Sequence, residues 1–121
     1  MKQILVVDDN EDILDLILMI LEMEGFDAEG LSSGAQLTEK LKTTVPDLIL
    51  LDVLLGDSDG RKLCHDIKST ATTANVPVIM ISASHAAYSL PQAYCQPNDF
   101  IPKPFDVDDL VKTVKRILQV S

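Results

Sequence analysis

Nowhere in these 121 residues is there an apolar run long enough to cross a bilayer. Met1-Lys2-Gln3 leads straight into the brief apolar stretch Ile4–Val7, which is too short for a signal peptide. The expectation is a soluble, cytoplasmic chain without a membrane partner. Basic residues are also scarce, ten against nineteen acidic ones, for a net charge of -9 and a pI near 4.4. That balance argues against a direct grip on nucleic acid or on an anionic membrane, and suits a basic or metal-bearing partner. The two cysteines, Cys64 and Cys95, form no CxxC pair, and His65 and His85 stand apart from them. A zinc site is therefore not expected, and two unpaired thiols in a reducing compartment are. There are no internal repeats, low-complexity tracts or linkers, so residues 1–121 read as one domain.

What the chain does have is a set of short apolar runs that end in ionisable or polar residues. The stretch Asp47–Gly60, DLILLDVLLGDSDG, is the most telling. Leu48-Ile49-Leu50-Leu51 has the pattern of a strand covered on both faces, and it ends on a carboxylate, Asp52. The turn formers Gly56, Asp57, Ser58, Asp59 and Gly60 then lead the chain out of the sheet. By itself, an Asp that opens a loop is most often a turn residue.

The other runs follow the same plan. Gln3–Val7 is expected as a central strand closed by Asp8-Asp9-Asn10, where Asp9 or Asn10 can cap a helix with Ile13, Leu16, Ile17, Ile20 and Met23 at helical spacing. Phe26–Leu31 gives a weaker strand, and a second helix from Ser32-Ser33-Gly34 turns Leu37 and Leu41 inward. Gly60 to Ser69 reads as a helix with Leu63, Cys64 and Ile67 inside, followed by a loop to Asn75. Val76–Ile81 is the fourth strand, entered through Pro77, and it delivers Ser82. The segment 83–98, interrupted by Pro91 and Pro97, reads as a short or irregular helix. Asp99–Pro102 is a short fifth strand leading to Lys103-Pro104-Phe105. Asp106 caps a last helix lined by Val107, Leu110, Val111, Val114, Ile117 and Leu118.

Strands alternating with helices through short connections imply an α/β fold, a single doubly wound parallel sheet of five strands with helices on both faces. In such sheets ligands collect beyond the carboxyl ends of the strands. There this chain supplies Asp8, Asp9, Asp52, Ser82 and Lys103. Crowded carboxylates repel one another unless a cation sits among them, and oxygen donors of this kind suit a hard divalent ion such as Mg2+. Beside such an ion Asp52 could act as a nucleophile toward a phosphoryl group, with Lys103 and the Ser82 hydroxyl meeting its oxygens. Each residue alone has an ordinary explanation as a cap, a turn or a solvated lysine. The combination at four strand ends is the specific signal.

Across its whole length the chain resembles the receiver domain of bacterial two-component response regulators. ILVVDDNEDI, DLILLD, VPVIMISAS and FIPKPF carry the resemblance. It implies a flavodoxin-like (βα)5 fold with strand order 2-1-3-4-5 and a signalling switch rather than a turnover enzyme. Asp52 would be the phosphoacceptor, and Asp8, Asp9, Asp52 and the backbone carbonyl of Leu54 would hold Mg2+. Ser82 would be the switch hydroxyl, Lys103 a phosphoryl contact, Phe100 the switch aromatic, and Lys103-Pro104 a cis bond. The implied partners are a histidine kinase or histidine phosphotransfer protein, and a downstream protein docking on the face made by the fourth helix, fifth strand and fifth helix.

The chain departs from the family pattern at Gly56, where proline is usual, and at Gln96-Pro97, where a Gly-Ala pair is usual. Leu54 and Ser84 occupy positions that in this family influence the lifetime of the phosphoryl group. The rival readings are a magnesium-dependent aspartyl-phosphate phosphatase, a flavin binder, and a receiver cut from a larger DNA-binding regulator or hybrid kinase. The first would need a second acid and a substrate cap, and the second would meet repulsion between its phosphate and Asp8-Asp9.

Overall fold

The computed structural model describes residues 2–53, 55–56, 59–82 and 97–120. Five parallel strands, β1 (Gln3–Val7), β2 (Asp27–Leu31), β3 (Leu48–Asp52), β4 (Val78–Ser82) and β5 (Asp99–Pro102), lie in the order β2-β1-β3-β4-β5. Among the described residues there are four helices: α1 (Glu11–Met23), α2 (Gly34–Leu41), α3 (Gly60–Ser69) and α4 (Val107–Leu118). The irregular helix expected between β4 and β5 falls mostly on residues 83–96, outside the described residues.

The period of two along each strand sorts the core into two layers. Ile4, Val6, Leu48, Leu50, Ile79 and Ile81 pack with α1 and α4. Leu5, Val7, Ile49, Leu51, Val78 and Met80 face the other way, onto Leu37 of α2 and Cys64 and Ile67 of α3. Every residue of β3 and of β4 is buried, and each apolar side chain so enclosed contributes roughly 1.5–3 kcal/mol. Each helix starts at a side-chain cap. Asn10 Oδ1 accepts from the Asp12 and Ile13 amides, Ser33 Oγ from Gln36, Asp59 from Arg61, and Asp106 from Asp108 and Asp109.

Three details differ from the sequence expectation. In α1 the buried stripe is Leu14, Ile17, Ile20 and Leu21, whereas Leu16 and Met23 are exposed. This helix is apolar on more than one face, so spacing alone does not single out the inner one. β4 starts at Val78 because Val76 still belongs to a turn, its amide donating to Thr73 O, and Pro77 has no amide to pair. Cys64 is disulfide-bonded rather than a free thiol, and its partner lies outside the described residues.

At the edge of the sheet away from the capped helix starts, Lys68 of α3 donates to Val76 O at 3.0 Å and to Asn98 Oδ1 at 2.7 Å. Asn98 Oδ1 also accepts from the Val78 amide, so one side chain joins α3 to the beginnings of β4 and β5. Burial lowers the proton affinity of Lys68 below the ordinary lysine value of 10.5. Between the lowered native value and 10.5 the unfolded chain holds more protons than the folded one, so this group makes stability rise with pH through that window. In urea titrations at increasing pH, the stability difference between the wild type and Lys68→Met is expected to move in favour of the wild type. A gap that does not change with pH contradicts this account.

Candidate functional site

Parallel pairing puts the carboxyl ends of all five strands on one edge of the sheet. The backbone continues to be held there after the strands end. The Asp8 amide donates to Leu31 O at 3.1 Å, Val53 to Ile81 O at 3.1 Å, and Lys103 to Ser82 O at 2.9 Å. Asp8, Asp52, Ser82 and Lys103 therefore stand in a row fixed by neighbouring strands, with Asp9 one residue beyond.

The side chains converge. Lys103 Nζ lies 2.9 Å from Asp8 Oδ2 and 3.1 Å from Asp52 Oδ2, bridging the two carboxylates. The Lys103 side chain is 14% exposed, and those of Asp8 and Asp52 are 2% and 8% exposed, so water screens the three charges only weakly. Burial pulls the lysine's proton affinity down, but the hydrogen bond to Asp8 and the negative charge of Asp52 outweigh it and leave it above 10.5. Asp8 also accepts from the Asn10 amide through its other oxygen, at 2.9 Å. Lys103-Pro104, which carries the lysine out of β5, is a cis peptide bond.

Asp8, Asp9 and Asp52 each offer a carboxylate oxygen, and these oxygens lie within 4.8 Å of one another. Asp9 is exposed while the other two are buried, so the group opens to solvent on one side. A hard, all-oxygen donor set of this size fits Mg2+, whose ligands sit at about 2.0–2.1 Å. The expected ligand carbonyl of Leu54 lies outside the described residues, as does Ser84. Ser82 is buried at the end of β4. Phe100, partly buried on β5, packs against the layer containing Met80. With Pro104, Phe105 and the α4 residues Asp109 and Arg116 it borders a groove of about 460 Å³.

The sequence reading expected Asp8, Asp9, Asp52, Ser82 and Lys103 at this edge, where the structure places them, but did not foresee that Lys103 binds Asp8 as well as Asp52. It read Asp59 as a turn former and missed its pairing with Arg61 at the start of α3. Arg61 Nε and NH2 hold the Asp59 carboxylate at 2.9 and 2.7 Å, and these hydrogen bonds lower the Asp59 proton affinity below the usual carboxylate range. An acid immediately before a helical Gly-Arg pair was the available signal.

The family model for the response regulator receiver domain matches residues 4–115. The chain is 32% identical over 120 residues to the DNA-binding dual master transcriptional regulator RpaA of Synechocystis, covering 98% of this chain and 50% of that protein. It is 34% identical over 121 residues to the alkaline phosphatase synthesis transcriptional regulatory protein PhoP of Bacillus subtilis, covering 99% of this chain and 50% of that protein. The chain thus spans about half the length of these curated relatives. Among solved structures, the receiver domain of a signal transduction histidine kinase from Syntrophus aciditrophicus superposes with a TM-score of 0.91 at 32% identity, over 98% of this chain and 91% of that one.

Removing the bridging ammonium leaves Asp8 and Asp52, both buried, without the positive charge between them. Lys103→Ala is expected to lose about 3 kcal/mol of stability at neutral pH without added metal, read from urea unfolding. An unchanged unfolding midpoint contradicts the bridging role.

Proposed function

The chain belongs to the response regulator receiver family, and from that premise we propose that it is a phosphorylation-driven switch with Asp52 as its phosphoacceptor. The observation that carries this reading is the bridging of Asp8 and Asp52 by Lys103, with Asp9 alongside. The donor is the phosphohistidine of a histidine kinase or histidine phosphotransfer protein. An Asp52 carboxylate oxygen forms the new bond to phosphorus as the P–N bond breaks, and the electron pair leaves with the imidazole nitrogen.

Asp8, Asp9, Asp52 and the Leu54 carbonyl are the residues that would hold Mg2+. When bound, the ion neutralises charge gathered between the carboxylates and the phosphoryl oxygens. Lys103 supplies a point charge on a flexible stem, which can leave Asp52 Oδ2 for a phosphoryl oxygen without losing its contact with Asp8. The Ser82 hydroxyl donates to a second phosphoryl oxygen. A conformer of the loop after β4 that makes this bond is favoured once Asp52 is phosphorylated, and the population shifts toward it. Phe100 then turns inward, changing the groove it borders on the β5–α4 surface, which is the output face for a downstream protein.

In this reading the chain takes up and loses a phosphoryl group in the cytoplasm and is not a turnover enzyme. With a net charge of -9, the receiver itself makes no direct nucleic-acid contact. A second reading, a receiver within a larger DNA-binding regulator or hybrid kinase, draws support from the doubled length of the relatives. In that case the downstream partner would be another part of the same protein.

Incubation with magnesium and a small acyl phosphate, followed by intact mass measurement, tests the assignment. The wild type is expected to gain the mass of one phosphoryl group and Asp52→Asn none. Phosphorylation that survives the substitution removes Asp52 from this role.

A further inference from the structure

The first residue of α3 touches the end of β3 more closely than any side chain would permit. The Gly60 amide donates to Val53 O at 2.7 Å. A Cβ built on Gly60 would lie 2.1 Å from the Asp52 carbonyl oxygen and 2.9 Å from both the Asp52 carbonyl carbon and Val53 Cα. These are backbone atoms of the strand and its exit, so no change of rotamer relieves the overlap. Among the described glycines positive φ is found at Gly25, so Gly60 answers a demand for space rather than for a left-handed backbone.

The Asp52–Val53 peptide is gripped from two sides. On one, the Val53 amide donates to Ile81 O of β4 at 3.1 Å. On the other, the Gly60 amide bonds Val53 O with no room for a side chain beside the Asp52 carbonyl, while Asp59 caps the same helical turn and is itself clamped by Arg61. Leu54, whose carbonyl is proposed above as a metal ligand, follows Val53 in the chain.

We propose that Gly60 is a positioning residue for phosphorylation. By admitting α3 to contact with the Asp52 backbone, it sets where the Asp52 carboxylate stands relative to Asp8, Asp9 and Lys103. It acts through the main chain and meets neither donor nor phosphoryl group. This inference rests on the reading of Asp52 as the phosphoacceptor. Displacement of a reacting group by about 1 Å can cost on the order of 100-fold in rate, so a shift forced by one methyl group is consequential.

The test compares phosphorylation rate with a small acyl phosphate, Mg2+ affinity and melting temperature in the wild type, Gly60→Ala and Leu37→Ala. Leu37 is buried on α2, so its truncation lowers stability through the core. Gly60→Ala is expected to react at least about tenfold more slowly and to bind Mg2+ more weakly. Leu37→Ala should melt earlier yet keep the wild-type rate and affinity. Equal rates for the wild type and Gly60→Ala overturn the proposal, as does an equal slowing in Leu37→Ala. Should Gly60→Ala fail to fold, Asp59→Ala loosens the same turn without adding an atom beside Asp52. A rate lowered by about threefold or more then supports the proposal, and an unchanged rate overturns it. A wild type that takes no phosphoryl group overturns the reading of Asp52 itself. A reactive wild type with an equally reactive Gly60→Ala overturns only the role of Gly60.

Discussion

Two carboxylates at the ends of adjacent central strands, held together by one ammonium from an edge strand, are the constraint on which this structure turns. Asp8 and Asp52 are carried to the same place because β1 and β3 are parallel neighbours in register, with Val7 opposite Leu51. Burial on that edge removes much of the water that would otherwise keep their charges apart. Lys103 meets that need from the end of β5, two strands beyond β3. Buried charges are tolerated when each has a partner, and no buried side-chain nitrogen or oxygen among the described residues lacks one. The same arrangement is chemically poised, since a cation or an anion entering the pocket must rearrange contacts that already balance.

The rest of the fold makes that balance a local matter. The strands are packed on both faces and the helix starts are capped, so the sheet edge is a rigid platform for the side chains that leave it. Of the residues assigned to the switch, Phe100 lies on β5, a strand that is only partly buried. A well-packed base is what a two-state switch needs, because the energy of one new contact then goes into choosing a conformer and not into deforming the core.

Much of this was legible in the sequence, for a definable reason. An apolar run in a parallel strand has nowhere to put a charge except at its end, so Asp8, Asp52 and Lys103 announced the strand ends where the structure brings them together. The strand order was not readable from the residues and entered through the family resemblance. What stayed hidden depended on distance through the fold. The Lys103–Asp8 contact joins residues 95 positions apart, which no local pattern encodes. The inner face of α1 was misread because Leu16, Met19 and Met23 are apolar but exposed. The start of β4 was placed two residues early because Val76 and Pro77 look like strand, while the Val76 amide bonds within a turn to Thr73 O and Pro77 has no amide to give. The demand for glycine at position 60 shows only when α3 is seen against the Asp52 backbone.

The central claim is that charge added at Asp52 is felt at Ser82, Lys103 and Phe100. Amide NMR spectra recorded before and after addition of magnesium with beryllofluoride, a mimic of the acyl phosphate, test it most directly. The account predicts that the signals of Asp52, Ser82, Lys103 and Phe100 move together in the wild type and stay in place in Asp52→Asn. Spectra that do not change in the wild type, or that change equally in the substituted protein, would contradict it.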